Sequence, residues 1–482
     1  MQITSFGCGP DAYVVDEAME VLQRAGKTAT VLKVDDVSNV GSLRLRIRSL
    51  VESLRQRQQR VGARQLEVRL QKPFGEEDRH RTILMPWFGD AYSPYLPVLF
   101  KLGGYKAVNL PPSDAETPGY GLRYSNNEIC YPATLIVGDF MKAMASGKYR
   151  PEDVAFGITQ TGGQCRATNY MSLVKRALAQ AGYADVPVIS VATSELNEQP
   201  GFEIAWGKMM KPILRTMVYA DVLAVLYNTS RVREKRKGHA LELFHEYTEL
   251  GLELLEAGRT KGMRALLARA ADDFRAAIHL KELPRVGIVG EIFVKYNSFA
   301  NRGLVDWICE HGMEPVVPAL AEFFLEGFAS RVVRAQDRID RKGLGTMLTP
   351  AVETYVFSII RGMEKAVASY PYYRPIGRPS HEASLARPII NLNAQFGEGW
   401  LIPAAFARFA QEGVNSVVCM QPFGCIANHI IAKGVEKRVR DMYPELNILF
   451  LDLDSGVSDV NFFNRLHFLM EVAKSGVAEV AG

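Results

Sequence analysis

The sequence has no run of about 18 apolar residues, which is the least that a membrane-spanning helix needs. Its first residues also lack the charged and then apolar pattern of a secretory leader. The formal net charge is only +4 over 482 residues, so composition gives no reason to expect binding to nucleic acid or to an anionic membrane. We therefore expect a cytoplasmic protein with neither nucleic acid nor a membrane as its partner.

Cysteine is scarce, and its spacing excludes several common sites. No two of the six cysteines form a CxxC pair, so neither a zinc ribbon nor a thioredoxin-type site is indicated. In a long chain without a secretory signal, disulfides are the less expected use. Three uses remain open: buried inert thiols, a nucleophile, or cluster ligands gathered from distant parts of the chain. The cysteines are Cys8, Cys130, Cys165, Cys309, Cys419 and Cys425.

Strand-like and helix-like segments alternate along most of the chain, which is typical of parallel sheets with crossover helices. The length favours two or three domains. We predict an α/β protein with two open, mainly parallel-sheet lobes of the flavodoxin or Rossmann type. The expected division is an N-terminal α/β segment at 1–71, a first lobe with a helical extension at 82–283, and a second lobe at 284–482.

The expected strands are runs of apolar residues that end at loops. In the first lobe they are TILMPW, YKAVNLP, VAFGITQ and VPVISVA. In the second lobe they are RVGIVGEIFV, EPVVPAL, PIINLNAQ, NSVVCMQPFG and NILFLDLD. Ligands of such sheets bind beyond the carboxyl ends of the strands, so the loops at these ends are the places to look for a site.

The phrase SFGC at 5–8 returns as PFGC at 422–425. A shift of 417 positions aligns the two without a gap and also places Asp35 on Asp452 and Arg48 on Arg465. We interpret the N-terminal segment as the tail of a duplicated unit whose second copy is complete.

Three cysteines occur in similar contexts at the expected starts of helices. Cys130 lies in NNEICYPA, Cys165 in TQTGGQCRATNY, and Cys425 in QPFGCIANHIIAKG. A thiol at a helix N-terminus is deprotonated more easily, and thiolates are the ligands of iron–sulfur clusters. Glycine before two of these cysteines permits a close approach of the backbone to a bulky ligand. Taken singly, each of these cysteines is equally well explained as a buried thiol in the core.

These three motifs closely resemble those of the 2-hydroxyacyl-CoA dehydratase superfamily, specifically its large activase-related branch and the double-cubane cluster proteins. The resemblance covers nearly the whole chain. It implies that Cys130, Cys165 and Cys425 hold a 4Fe–4S cluster in the crevice between the lobes. It also implies that a separate activase, a dimeric ATPase, supplies electrons of very low potential. In the double-cubane relatives, six cysteines hold two cubanes that share a bridging sulfide.

The other three cysteines are further ligand candidates under the same resemblance. Cys8 matches the last ligand position of the preceding unit, but the other cysteines of that unit are absent. Cys8 is therefore a relic, a ligand of a second cubane, or part of a site completed by another chain. Cys419 is either a ligand or a buried strand thiol. Cys309 lies among apolar residues at helical spacing, which favours a core position.

Three polar residues near the motifs are the candidate catalytic residues. Gln160 flanks Cys165, Glu398 lies in the glycine-rich loop NAQFGEGW, and His429 follows Cys425 by four residues as a candidate proton donor. The alternatives are a capping role for Gln160, an ordinary turn around Glu398 and a structural role for His429.

The resemblance implies an enzyme component that takes electrons from the activase and either reduces a small molecule or drives dehydration of a 2-hydroxyacyl-CoA. The sequence has no GxxxxGK[ST] phosphate loop, so the ATPase is expected to be a separate chain. A homodimer, or a heteromer with a sister subunit, is expected on the same ground. The alternatives are a non-catalytic scaffold in a larger complex and a hydrolase that uses Cys165 as nucleophile with His429.

Overall fold

The computed structural model of the protein is an α/β structure with two four-stranded sheets, and both are parallel throughout. This confirms the predicted class. The structure describes residues 1–4, 14–15, 18–19, 21–22, 25–27, 29–34, 40–59, 72–125, 129–160, 165–192, 197–456 and 459–480.

The first of these sheets has the strand order β4-β3-β5-β6. Its two central strands are largely buried, as expected for strands covered on both faces. The register places Ile83 opposite both Ala107 and Ala155. The strands are β3 (Thr82–Met85), β4 (Lys106–Asn109), β5 (Val154–Thr159) and β6 (Val188–Val191).

The second sheet has the order β10-β9-β7-β8. Every residue of β9 is buried, and β7 and β10 flank it. The strands are β7 (Arg285–Gly290), β8 (Glu314–Val316), β9 (Ser416–Pro422) and β10 (Asn447–Leu453). Near the N-terminus, β1 (Gln2–Thr4) and β2 (Val31–Lys33) form a small parallel pair.

Helices connect and cover the strands, with three long ones between the two sheets in sequence. The helices are α1 (Val40–Gln59), α2 (Leu96–Leu102), α3 (Thr117–Tyr124), α4 (Tyr131–Ala145), α5 (Tyr170–Gln180), α6 (Trp206–Ser230), α7 (His239–Glu256), α8 (Met263–Ala276), α9 (Ile292–Tyr296), α10 (Leu304–Glu310), α11 (Leu320–Leu325), α12 (Gly327–Gln336), α13 (Leu344–Glu364), α14 (Pro379–Ala386), α15 (Leu401–Gln411), α16 (Glu436–Met442) and α17 (Asp459–Val480). A π-helical turn covers Ala427–Ala432.

One hydrophobic cluster includes residues of both four-stranded sheets. Phe156 of β5 and Leu135 of α4 belong to the same cluster as Ile288 of β7 and Met420 of β9. The cluster therefore extends across the boundary predicted at residue 284, and the division into domains stays a prediction.

Two strand predictions in the second half differ from the structure. The segment PIINLNAQ forms turns, in which Ile389 is buried in an apolar cluster without pairing to a strand. The run RVGIVGEIFV is a strand only as far as Gly290, because Glu291 caps α9 by accepting a hydrogen bond from the Val294 N–H at 2.9 Å. An apolar run indicates burial, and Ile389 and Phe293 are buried outside any strand.

In the part of the chain that the structure describes, none of the helices has the length and apolar character required to cross a membrane.

Helix α4 contains a buried carboxyl group. Asp139 is 5% exposed and accepts hydrogen bonds from Ser113 Oγ at 2.7 Å and Thr117 Oγ1 at 3.0 Å. Burial raises the pKa of Asp139 to about 7, although these two hydrogen bonds oppose the shift. The folded protein therefore binds this proton more tightly than the unfolded chain does.

We expect Asp139→Asn to flatten the dependence of stability on pH. A carboxyl whose pKa is raised by folding contributes fully below its unfolded pKa of about 3.9, and this contribution is lost as the pH rises through about 7. Asparagine does not ionise, so the variant should lose less stability between about pH 5 and 8, by an amount on the order of a few kcal/mol. Urea unfolding at a series of pH values measures this. Parallel curves for the two proteins would contradict it.

Candidate functional site

Cys130 is the residue from which α4 starts. Its backbone is extended, and the helix continues with Pro132 in its first turn, a position where proline removes no needed N–H group. The side chain is buried, with the thiol 3.4 Å from the Tyr170 hydroxyl. The predicted placement of this cysteine at a helix N-terminus is confirmed.

Cys165 follows β5 and precedes the short helical turn Arg166–Thr168, after which α5 begins. Gln160, at the end of β5, donates a hydrogen bond to the Thr168 carbonyl at 2.6 Å and accepts one from Asn197 Nδ2 at 2.5 Å. Gln160 thus fastens the cysteine-bearing turn to the sheet, which is a positioning role.

Tyr170 contacts Cys130 and lies within electrostatic reach of Cys165. Burial raises the pKa of its hydroxyl well above the usual value, and the charges of Cys130, Glu291 and Cys165 raise it further. All three groups therefore lie within electrostatic reach of one hydroxyl group. Since Tyr170 is the first residue of α5, the N-terminus of this helix lies near both thiols.

Cys425 follows β9 and is surrounded by buried amides. Asn428 Nδ2 donates a hydrogen bond to the Cys425 sulfur at 3.1 Å, and Gln421 Nε2 donates one to the Asn428 carbonyl at 2.9 Å. Both amide side chains are fully buried, and their Oδ1 and Oε1 atoms accept no hydrogen bond within the described residues. An N–H donor to the sulfur is the environment that stabilises a thiolate.

Gly397 lies where the loops meet. A Cβ atom built at this position would be 3.7 Å from the Cys165 sulfur and 3.5 Å from the Cβ of Ala427, two residues beyond Cys425. Its φ of 59° lies in the left-handed region that favours glycine. The glycine-rich loop, Cys165 and the segment after Cys425 therefore approach one another closely.

Glu398, the next residue in this loop, is buried at 7% exposure and accepts a hydrogen bond from the Ile292 N–H at 2.7 Å. Glu291, at the end of β7, lies within reach of its charge. Burial, and then the charge of Glu398, raises the pKa of Glu291 to about 8. The charges of the two carboxyl groups therefore disfavour each other, near the tyrosine that contacts Cys130.

The side chain of His429 contacts Asp452 of strand β10. Its Nε2 lies 3.3 Å from Asp452 Oδ1, and its Nδ1 lies 3.2 Å from the Cys425 carbonyl oxygen. The hydrogen bond from His429 holds the pKa of Asp452 below its usual value. The side chain thus ties the turn after Cys425 to β10.

The remaining cysteines lie in other surroundings. Cys419 is fully buried in an apolar cluster with Val289 and Phe406, and burial raises the pKa of its thiol far above the usual value. Burial raises the pKa of Cys309 to about 12, and its nearest charges are Arg231 and Asp306. Cys8 lies outside the described residues.

The described residues include no group of three or more His, Cys, Asp or Glu side chains spaced to hold a single metal ion. The ligands of an iron–sulfur cluster bind separate iron atoms, so they lie farther apart than the ligands of a single ion. Tyr170 contacts Cys130 and lies within electrostatic reach of Cys165, Gly397 lies close to both Cys165 and Ala427, and Cys425 receives an amide donor. Thiolates from separate loops are the donor type that iron–sulfur clusters use.

Sequence reasoning missed Tyr170, Glu291 and Asn428 as site residues. Tyr170 and Asn428 both lie inside the quoted motifs. The sequence around Glu291 did carry a signal. After β7 a glycine is followed by Glu291 and a helix, and after β9 a glycine is followed by Cys425 and a helical turn. A Cβ at Gly290 would lie 2.2 Å from the Met420 carbonyl oxygen, so only glycine permits this approach of β7 to β9.

No protein-family model and no curated protein sequence matches the chain.

Proposed function

We propose that this chain is the iron–sulfur, electron-accepting component of an ATP-dependent reductase or dehydratase system, similar to the 2-hydroxyacyl-CoA dehydratases and double-cubane proteins. The observation that carries the proposal is the approach of three cysteine-bearing loops. Cys165 lies within electrostatic reach of Tyr170, which contacts Cys130, and it lies near Gly397, which also approaches Ala427, two residues after Cys425.

In this proposal, the thiolates of Cys130, Cys165 and Cys425 bind the cluster in a crevice between two α/β lobes. The cluster would supply one-electron transfer at low potential. The protein's own groups position the ligands: Tyr170 orients Cys130, Asn428 donates to the Cys425 sulfur, and Gln160 fixes the turn of Cys165. Glu291, whose pKa is raised by burial and by the charge of Glu398, is the candidate proton donor near these ligands, a role that reduction of a substrate requires.

The partners follow from the same proposal. A separate activase ATPase donates the electrons, and the substrate is a small unsaturated molecule or a 2-hydroxyacyl-CoA. A second copy or a sister subunit completes the complex, and the reaction takes place in the cytoplasm. Neither the cysteines nor their neighbours select between reduction and dehydration.

Iron and acid-labile sulfide, measured on protein purified without oxygen, test the proposal. We expect about four irons per chain for a single cubane and about eight for a double one. The Cys8→Ala variant distinguishes the two: an unchanged value makes Cys8 a relic, whereas a fall from about eight towards about four assigns it to a second cubane. A low-potential chemical reductant should bleach the visible absorption.

Absence of iron, both after anaerobic purification and after reconstitution with iron and sulfide, would overturn the proposal. It would favour the scaffold alternative. A thiol-dependent hydrolytic activity in such iron-free protein would instead favour Cys165 as a nucleophile.

A further inference from the structure

A cavity of about 330 Å³ lies beside the second sheet, and none of the described cysteines lines it. Its volume is at the lower end of the range of about 300–1,000 Å³ for small-molecule sites. Val316, the last residue of β8, and Lys295, in the helix after β7, both line it. The cavity thus lies beyond the carboxyl ends of two parallel strands, the usual place for ligands of such sheets.

The walls combine apolar surface with charged and polar side chains of both signs, so a ligand there could be held by both kinds of contact. Helix α6, the segment after β8 and helix α15 contribute to them. The apolar part includes Tyr92, Val225, Phe244, Pro318 and Ile376.

Lys295 is the unusual residue of this wall. It is only 8% exposed. Within the described residues its ammonium group forms no ion pair and donates no hydrogen bond, although the charges of nearby Glu398, Glu322 and Asp221 reach it. Its Nζ lies 4.8 Å from the centroid of the Tyr296 ring. Burial lowers the pKa of Lys295. A buried ammonium without a partner is costly, so its retention needs a reason.

The nearby carboxylates already have donors of their own. Asp221 accepts hydrogen bonds from the Tyr92 hydroxyl at 2.7 Å and from the Leu320 and Ala321 N–H groups at 2.7 and 3.0 Å. These bonds hold Asp221 at the start of α11, and its charge reaches Lys295 without forming an ion pair with it.

Glu322 and Glu398 are occupied in the same way. Glu322 accepts a two-pronged contact from Arg408 at 2.7 and 3.0 Å, and Glu398 accepts from the Ile292 N–H at 2.7 Å. Lys295 lines the cavity, so an acceptor group on a ligand there can meet the N–H donors of its ammonium.

We propose that Lys295 binds the carboxylate of a small organic acid whose apolar part fills this cavity. The ammonium donates charge-assisted hydrogen bonds to the carboxylate oxygens, and the aromatic and aliphatic walls remove the body of the acid from water. The volume suits a small monoacid, and it is too small for the nucleotide portion of a CoA thioester. This site is separate from the iron–sulfur proposal and does not depend on iron.

Binding of simple carboxylates to the full-length protein tests the site. Butyrate, hexanoate, benzoate and phenylacetate are compared with butyramide, hexanamide, benzamide and phenylacetamide by thermal shift and calorimetry. We expect at least one carboxylate to bind saturably at millimolar concentration and to bind about tenfold or more tightly than its amide, because the amide lacks the charge that the ammonium recognises.

Two variants assign the binding to the cavity. Lys295→Met keeps the length of the side chain and removes its charge, and Ala224→Leu fills the cavity from α6 while leaving Lys295 in place. Both should weaken the binding of the carboxylate by about tenfold or more. Lys101→Met, at an exposed lysine on α2, should leave it unchanged.

Four results would overturn the proposal. They are no binding of any carboxylate to the wild type, equal binding of acid and amide, unchanged binding to a folded Lys295→Met protein, and unchanged binding to Ala224→Leu. If Lys295→Met does not fold, Ala224→Leu and the comparison of acid with amide decide the matter. The assay reads binding alone, so its result is independent of the iron content.

Discussion

The Cys165→Ser substitution is expected to lower the iron content of anaerobically purified protein from about four atoms per chain to near zero. Cys165 is one of the three proposed ligands, lies within electrostatic reach of Tyr170, and packs near Gly397, which also approaches Ala427. A serine hydroxyl stays protonated at neutral pH and is a poor ligand for iron, so the cluster would lose one of its three proposed ligands.

The matched control is Cys309→Ser. This thiol is also largely buried, but its charged neighbours are Arg231 and Asp306, so the substitution should leave the iron content unchanged. Circular dichroism verifies that both variants are folded. Equal iron in Cys165→Ser and in the wild type would contradict the assignment, and so would an equal loss in the two variants.

Substitution of Cys130 or Cys425 should have the same effect on iron as that of Cys165, whereas Cys419→Ser should behave differently. Cys419 lies in the middle of β9 among apolar side chains. A hydroxyl there should lower the free energy of unfolding and leave the iron content unchanged.

Local sequence patterns predicted most strands, because buried parallel strands are short apolar runs that end at loops. The segment PIINLNAQ shows the limit of this reasoning. Ile389 is 1% exposed and lies in a core cluster, yet its backbone forms turns. The sequence reveals that such a residue is buried, but the pairing of its backbone depends on which elements pack beside it.

The candidate site was predicted unevenly for a similar reason. Cys130, Cys165 and Cys425 stand out because cysteine before a helix is locally recognisable. Gln160 and His429 were expected near the chemistry, and the structure gives them hydrogen bonds that position the ligand-bearing turns. The special character of Lys295 was not visible at all, because its burial arises from α6, the loop after β8 and α15, which are distant in sequence.

Beside this lysine lies a buried ion cluster whose disruption should produce the largest loss of stability. Arg408 is 13% exposed at its side chain and contacts Glu322 at 2.7 Å and Glu382 at 3.3 Å. Burial opposes the charge of Arg408, but the two carboxylates outweigh it and raise the pKa of the guanidinium well above its usual range. One arginine thus compensates two buried carboxyl groups.

Arg408→Leu is therefore expected to lower the free energy of unfolding by about 3–5 kcal/mol. The reason is that Glu322 and Glu382 would remain buried without their cation, at a distance where their charges repel each other. Replacing both with glutamine in the Arg408→Leu background should restore much of the loss, because the neutral side chains no longer need the guanidinium. Urea unfolding at neutral pH measures the three free energies.

Arg440→Leu provides the comparison for an exposed ion pair. Arg440 contacts Glu436 one turn earlier in α16, with the arginine side chain 45% exposed, and such pairs contribute about 0.3–0.5 kcal/mol. A loss in Arg408→Leu as small as that in Arg440→Leu would show that water reaches the cluster. It would also argue against the proposed carboxylate site at Lys295. Glu322 would then be hydrated, and the cavity wall would no longer keep the ammonium of Lys295 away from solvent.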